Sequence, residues 1–459
     1  MIRSCCPVTG DMTLYSSSAY ETQTMSSNHG SYSSVASLPA VMFVASIATL
    51  VQSYVLVKLF FLAVFLLTAI VRVALRKTRF AVHPRLVLFY LWIGVAGIVW
   101  AIVGLLHPGN YVQGNLDALK LYVTWSAAFV ILYTLLRAEP SLRLLHAAVV
   151  SSAILISVIN LVGLADEIGS WGLISESIRE ELELYVGIHT GYIQITSNNI
   201  GALFVIVPYL LSLQFRADAG KVNSAFMKVA LALSLVAVAV SGRRALWLAV
   251  VLTPCTILLL SGLTGSYGLL KIGGRRFLLI CTLAAVAGLS VVLLVPDEIP
   301  ELGSLVRLNE AFSSENERGI QKAYLIDGFM ESPILGSGFG AYAGYLRSYE
   351  RPWTYELTYY RLLFNMGIVG TASLGTLFFL YFALVIRILR RFKDGSAIPF
   401  GLLVGFCSLL LGSYSNPYFG SFDYIFFVGL LPYLSTFRGG FDRVGPLFNR
   451  RSTSELRAA

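Results

Sequence analysis

Between Leu38 and Thr436 the chain is a succession of apolar runs, near 38–53, 56–75, 86–106, 116–136, 144–163, 198–215, 223–240, 245–261, 277–295, 357–386, 397–412 and 422–436. Several reach the roughly 20 residues that carry a helix across a bilayer. In water such helices, apolar all round, would have too few interior neighbours to bury them. In lipid each satisfies its own backbone hydrogen bonds and needs no polar face. Charged residues make up 13% of the chain, against about a quarter in soluble domains, and the mean hydropathy is +0.73. These features predict an all-α, polytopic membrane protein with about twelve spans, counted from the runs above.

The connectors between runs differ in charge by alternation. One set, at 72–85, 137–143, 216–221, 271–276, 387–393 and the C-terminal tail, is basic in every member. The other set, at 107–115, 164–197, 241–244, 296–356 and 412–421, contains the acidic segment Asp166–Glu183 and the longest polar interruption. The positive-inside rule puts the first set and both termini in the cytoplasm. The expected organisation is a flexible tail over 1–35, a membrane domain over 36–437 with external loops near 164–197 and 296–356, and a second tail over 438–459. The net charge of +9 then follows from the cytoplasmic connectors and is not a nucleic-acid signature. No apolar core with a cleavage site opens the chain, so no signal peptide is expected. None of Cys5, Cys6, Cys255, Cys281 and Cys407 falls in the two external loops, so no external disulfide is expected.

Charges on the external side invite explanation. Arg243 and Arg244 follow Gly242 in a very short external turn, against the charge rule. They either anchor the helix ends at the interface or recognise lipid phosphates through their guanidinium forks. Arg318 falls on an expected amphipathic surface helix, with Ile320, Ala323, Tyr324 and Phe329 on the apolar side and Gln321 among the polar residues. The glycines of Gly336-Ser337-Gly338-Phe339-Gly340 form an ordinary turn or shape a pocket. Glu356 either caps the following helix or pairs with Arg351, or else takes a proton from a sugar hydroxyl. Tyr355 and Tyr359 read as interfacial anchors or sugar-contacting rings. Arg347 and Arg351 stand on the same rim as Glu356, Asn199 opens the helix near 198 as a cap or ligand contact, and His189 closes the acidic loop. His189 has no partners at zinc-ligand spacing and the chain has no Asp-x-Asp motif, so no metal and no cofactor are expected.

Ser241-Gly242-Arg243-Arg244-Ala245, the Arg318 segment, Pro333–Gly340, Tyr355-Glu356-Leu357-Thr358-Tyr359 and Gly367-Ile368-Val369-Gly370 resemble, in this order, the O-antigen ligase and polysaccharide polymerase superfamily over about 185–435. The resemblance implies a metal-independent, inverting glycosyltransferase of GT-C-like architecture in the bacterial inner membrane, active on the periplasmic face. Its partners would be undecaprenyl-diphosphate-linked oligosaccharides as donor and acceptor, membrane lipids and a chain-length regulator, without nucleic acid. It implies Arg244 and Arg318 as diphosphate contacts assisted by Arg243, Arg347 or Arg351, and Glu356 as the group facing the acceptor. Ligases carry His-Asn where this chain has Glu356-Leu357, which favours the polymerase branch. They often carry an arginine near the position of His189, which leaves a phosphate contact there in doubt. A ligase and a transporter of lipid-linked sugars are the alternatives.

Overall fold

The computed structural model describes residues 38–51, 53–75, 82–137, 141–189, 192–222, 224–294, 317–391 and 396–436. The expected tails over 1–35 and 438–459, the core of the basic connector at 76–81 and the segment 295–316 lie outside the described residues.

Apolar runs become helices in the expected intervals: α1 Leu38–Thr49, α2 Val55–Ala74, α3 Pro84–Leu106, α4 Val112–Leu119 continuing through a π-helical turn (Lys120–Thr124) into α5 Trp125–Arg137, and α6 Ser141–Gly169. After α7 (Glu176–Leu182) come the strands β1 Tyr185–His189 and β2 Tyr192–Thr196. There follow α8 Leu203–Phe215, α9 Ala225–Val240, α10 Arg244–Leu263, α11 Ile272–Leu294, α12 Glu317–Glu331, α13 Thr358–Arg391, α14 Ala397–Gly412, α15 Phe422–Val428 and α16 Leu430–Leu434. Among the described residues five helices are long and apolar enough to cross a membrane, and further shorter apolar helices lie with them. The molecule is an almost entirely α-helical, multi-span bundle with the make-up of a polytopic membrane protein.

The all-α expectation is corrected at 185–196. β1 and β2 pair antiparallel, with Val186 opposite Ile195 and Gly187 opposite Gln194. Residues two apart share a face of a strand. Val186 and Ile195 therefore face the apolar cluster of Leu182 and Leu184, while Gln194 and Thr196 turn the other way. The alternation of β-branched residues with Gly187 and Gln194 suits a half-buried strand and offers a helix no continuous stripe.

At the bundle's centre α14 lies against α8. Gly401 faces Tyr209 and Ser212, and Gly405 faces the Val205 carbonyl, so the two backbones approach closely where side chains are absent. One end of the bundle is tied by Arg216, which is fully buried. It donates to both carboxylate oxygens of Asp218 at 2.7 and 2.8 Å and to Ser266 and Ser396 at 3.3 and 2.8 Å. Its guanidinium lies 4.5 Å from the Phe400 ring centre. Near the opposite end Lys58 sits inside α2. It is buried against Asp423 of α15 at 3.0 Å and donates to the Leu50 carbonyl at 2.9 Å.

The Gly-rich segment 333–340 docks on this frame. The Trp100 indole donates to Leu335 O at 2.8 Å and Asn110 to Ser337 O at 2.7 Å. Ser337 N and Gly338 N bond Phe364 O and Asn365 O, and Ile368 N bonds Pro333 O. These last bonds require a break in α13, and Gly367 makes it with φ 60° and ψ −168°. A side chain there would strike the backbone of Ile334 and Gly336. The glycine run serves as a docking strap between α3 and α13.

Candidate functional site

The turn between α9 and α10 is built for two arginines at a helix start. Ser241 ends α9, Gly242 takes φ +61°, and a Cβ on it would collide with Gln194 of β2. Arg243 is the N-cap of α10 and Arg244 its first residue. Arg243 is held sideways, donating to the Ser197 carbonyl at 2.8 Å. A helix N-terminus carries partial positive charge, so backbone and side chains reinforce one sign here.

A second wall comes from α12 and the segment leading to α13. Glu356 accepts from Arg318 Nε at 2.9 Å on Oε2 and from Arg347 Nη2 at 2.8 Å on Oε1. Its own backbone N–H donates to Gln321 Oε1 at 3.1 Å. The expected polarity of α12 is corrected in part: Glu317, Lys322 and Asp327 are exposed as expected, but Gln321 is buried beside Leu325, and Ala323 and Tyr324 are exposed. A buried carboxamide costs little once both of its ends are bonded, and the Gln321 amide also donates to Glu317 at 3.3 Å. Just before Glu356, Tyr355 is buried and its hydroxyl accepts from Ala343 N at 2.7 Å. Burial pushes its phenol up to about 12.

These walls enclose an open cavity of about 980 Å³. Arg243, Arg244, Arg318, Arg347, Arg351 and Arg361 line it, against three carboxylates, Glu183, Glu350 and Glu356. Of the residues singled out in the sequence, Arg243, Arg244, Arg318, Arg347, Arg351, Tyr355 and Glu356 come together here. Glu356 pairs with Arg318 and Arg347 where Arg351 was the expected partner.

Three others are elsewhere. Tyr359 donates to Leu410 O at 2.6 Å and lines a separate apolar cavity of about 530 Å³ between α10, α13 and α14. Asn199 is fully buried, its Oδ1 accepting from Asn160 at 3.0 Å and Ser197 at 2.7 Å, while the adjacent Asn198 lines the charged cavity. His189 closes β1 opposite Tyr192, at the other end of the hairpin from Thr196, which lines the cavity; its side chain lies outside the described residues.

The structure adds Arg361, Gln194, Thr196 and Tyr424 to the site. For Arg361 a signal was present in the sequence: a lone arginine in the first turn of an apolar span is a functional candidate in its own right. Gln194, Thr196 and Tyr424 carry no such mark.

An arginine-rich concavity suits a polyanion of phosphate type, because each guanidinium offers paired donors at the spacing of phosphate oxygens. Among the described residues no group of three His, Cys, Asp or Glu side chains is arranged to hold a metal ion. No protein-family model matches the chain, and no curated protein matches it.

Proposed function

We propose that this chain is a bacterial inner-membrane polysaccharide polymerase, acting with the cavity on the periplasmic face. The observation that carries the reading is Glu356 clamped between Arg318 and Arg347 in an arginine-lined cavity at the end of a membrane bundle. What further supports it is the resemblance of Ser241–Ala245, Pro333–Gly340 and Tyr355–Tyr359 to the O-antigen ligase and polysaccharide polymerase superfamily. A GT-C-like arrangement of about twelve spans belongs to the same proposal.

In this mechanism the donor is a glycan on undecaprenyl diphosphate and the acceptor is a second lipid-linked repeat. The acceptor hydroxyl attacks C1 of the donor sugar from the face opposite the diphosphate. A new C1–O bond forms, the bond from C1 to the diphosphate oxygen breaks with its electron pair, and the hydroxyl proton passes to the Glu356 carboxylate. Undecaprenyl diphosphate leaves, and the anomeric centre is inverted. Arg244 and Arg318 offset the charge that gathers on the leaving oxygen. In the resting site both Glu356 oxygens already accept hydrogen bonds from arginines. Phosphate oxygens that draw Arg318 away free one carboxylate oxygen for the acceptor, so donor binding arms the proton acceptor.

The test is purified protein in lipid with a defined undecaprenyl-diphosphate repeat, products resolved by size. A ladder that disappears in Arg244→Ala and Arg318→Ala is the expected result. A single product formed only when a lipid A core acceptor is supplied moves the assignment to a ligase. Substrate left intact in both assays overturns the enzymatic reading and favours a transporter of lipid-linked sugars.

A further inference from the structure

Arg361 stands apart from the other cavity arginines. Arg318 and Arg347 are paired with Glu356, and Arg243 is bonded to the Ser197 carbonyl. Arg361 lies one turn inside α13, its backbone N–H bonded to Leu357 O at 2.9 Å. Among the described residues its guanidinium has no carboxylate partner and no side-chain hydrogen bond, whereas Arg216, the buried arginine at the far end, makes four. The side chain is partly buried and lines the charged cavity beside Tyr418 and Gly420. A Cβ on Gly420 would come within 3.3 Å of both Nη1 and Nη2, so the missing side chain leaves the guanidinium fork open. A guanidinium within an apolar helix is costly unless it is hydrated, paired or occupied by an anion.

We propose that Arg361 binds the lipid-proximal phosphate of a polyprenyl diphosphate. This rests on the reading of the cavity as a diphosphate site. Depth and free donors both single out Arg361. Arg318, Arg347 and Arg351 belong to segments that precede α13, whereas Arg361 projects from the membrane helix itself, a turn further in than Glu356. A diphosphate whose sugar end meets Glu356 and whose lipid end continues into the bundle brings its inner phosphate to Arg361. Two Nη groups with no acceptor among the described residues supply the paired donors that a phosphate takes. Arg318 and Arg347 already share Glu356, whereas Arg361 offers an incoming anion its donors without breaking an ion pair.

The test uses the wild-type chain in phosphatidylcholine nanodiscs, modified by phenylglyoxal and read arginine by arginine by mass spectrometry. Undecaprenyl diphosphate is expected to slow modification of Arg361 at least fivefold, and undecaprenol to leave it unchanged. Protection of Arg244 and Arg318 with Arg361 modified at its original rate overturns the inference and leaves the cavity reading standing. Protection of none of the cavity arginines overturns both. Equal protection by inorganic pyrophosphate alone assigns the site to a free anion and overturns the lipid-linked part. Direct binding supplies the second arm. Arg361→Gln, eluting and melting as wild type, is expected to weaken undecaprenyl diphosphate binding about tenfold, with Arg361→Lys intermediate because it keeps the charge and loses the fork. Wild-type affinity in either correctly folded variant overturns the assignment.

Discussion

Arg318 and Glu356, 38 residues apart in the chain, meet through a 2.9 Å bond from Nε to Oε2, and Arg347 completes the clamp from the other side of the same carboxylate. Three segments therefore converge on one side chain: the start of α12, the irregular stretch around Arg347, and the approach to α13. The clamp couples the electrostatics of the cavity to the placement of its only centrally held carboxylate among the described residues.

Glu356→Gln keeps the shape of the side chain while removing its charge and its capacity to accept a proton. Transfer should fall by about 10²–10⁴-fold, the range for loss of a positioned general base, at unchanged protein level. Initial rates of ladder formation provide the check, and a rate within a factor of two of wild type excludes Glu356 as the proton acceptor.

The buried pair Lys58–Asp423, at 3.0 Å with side chains 2% and 0% exposed, joins α2 to α15. Lys58→Met leaves a buried carboxylate without its cation and should cost about 3–5 kcal/mol. The double variant Lys58→Met with Asp423→Leu should recover a large part of that loss, because replacing both charges by apolar groups removes the uncompensated one. Apparent melting temperatures in detergent measure both, and an unchanged single variant denies the pair a structural role.

Gly367→Ala tests the docking of the strap. Its φ of 60° and the backbone of Ile334 and Gly336 both oppose a Cβ, so the loss should exceed the roughly 1 kcal/mol scale of a compatible Gly-to-Ala change. Gly375, in the same helix with nothing within 4 Å of a Cβ, is the control: Gly375→Ala should be neutral or slightly stabilising. Equal melting of the two variants would contradict the strap.

Alkaline pH should loosen the approach to Glu356. Burial raises the Tyr355 phenol to about 12 from its ordinary 10, so the folded protein holds this proton more tightly than the unfolded chain. Its contribution is fully present below pH 10 and is lost as pH rises toward 12. Melting followed across that window should decline less steeply in Tyr355→Phe than in wild type. The variant should also be about 1–3 kcal/mol less stable at neutral pH, because Ala343 N loses its acceptor. Parallel pH profiles would remove Tyr355 from the alkaline transition.

The apolar runs determined the helical bundle and most of its segment boundaries, because a span's length and hydropathy are local properties set by the solvent it must match. The arginines of the cavity rim were legible for the same reason: charges beside apolar runs are conspicuous wherever they fold. Only tertiary structure decided the rest. Whether Glu356 pairs with Arg347 or Arg351 depends on the path of an irregular segment whose conformation is set by its docking, not by local propensity. The burial of Gln321 in α12 follows from its carbonyl accepting from the distant Glu356 N–H while its amide bonds Glu317 one turn away, which outweighs the pattern of apolar residues along the helix. Asn198 and Asn199 are identical neighbours in the chain, yet one lines the cavity and the other bonds Asn160 and Ser197 inside the bundle. Adjacent side chains leave a backbone in different directions, and only the packing around them says which direction meets the cavity.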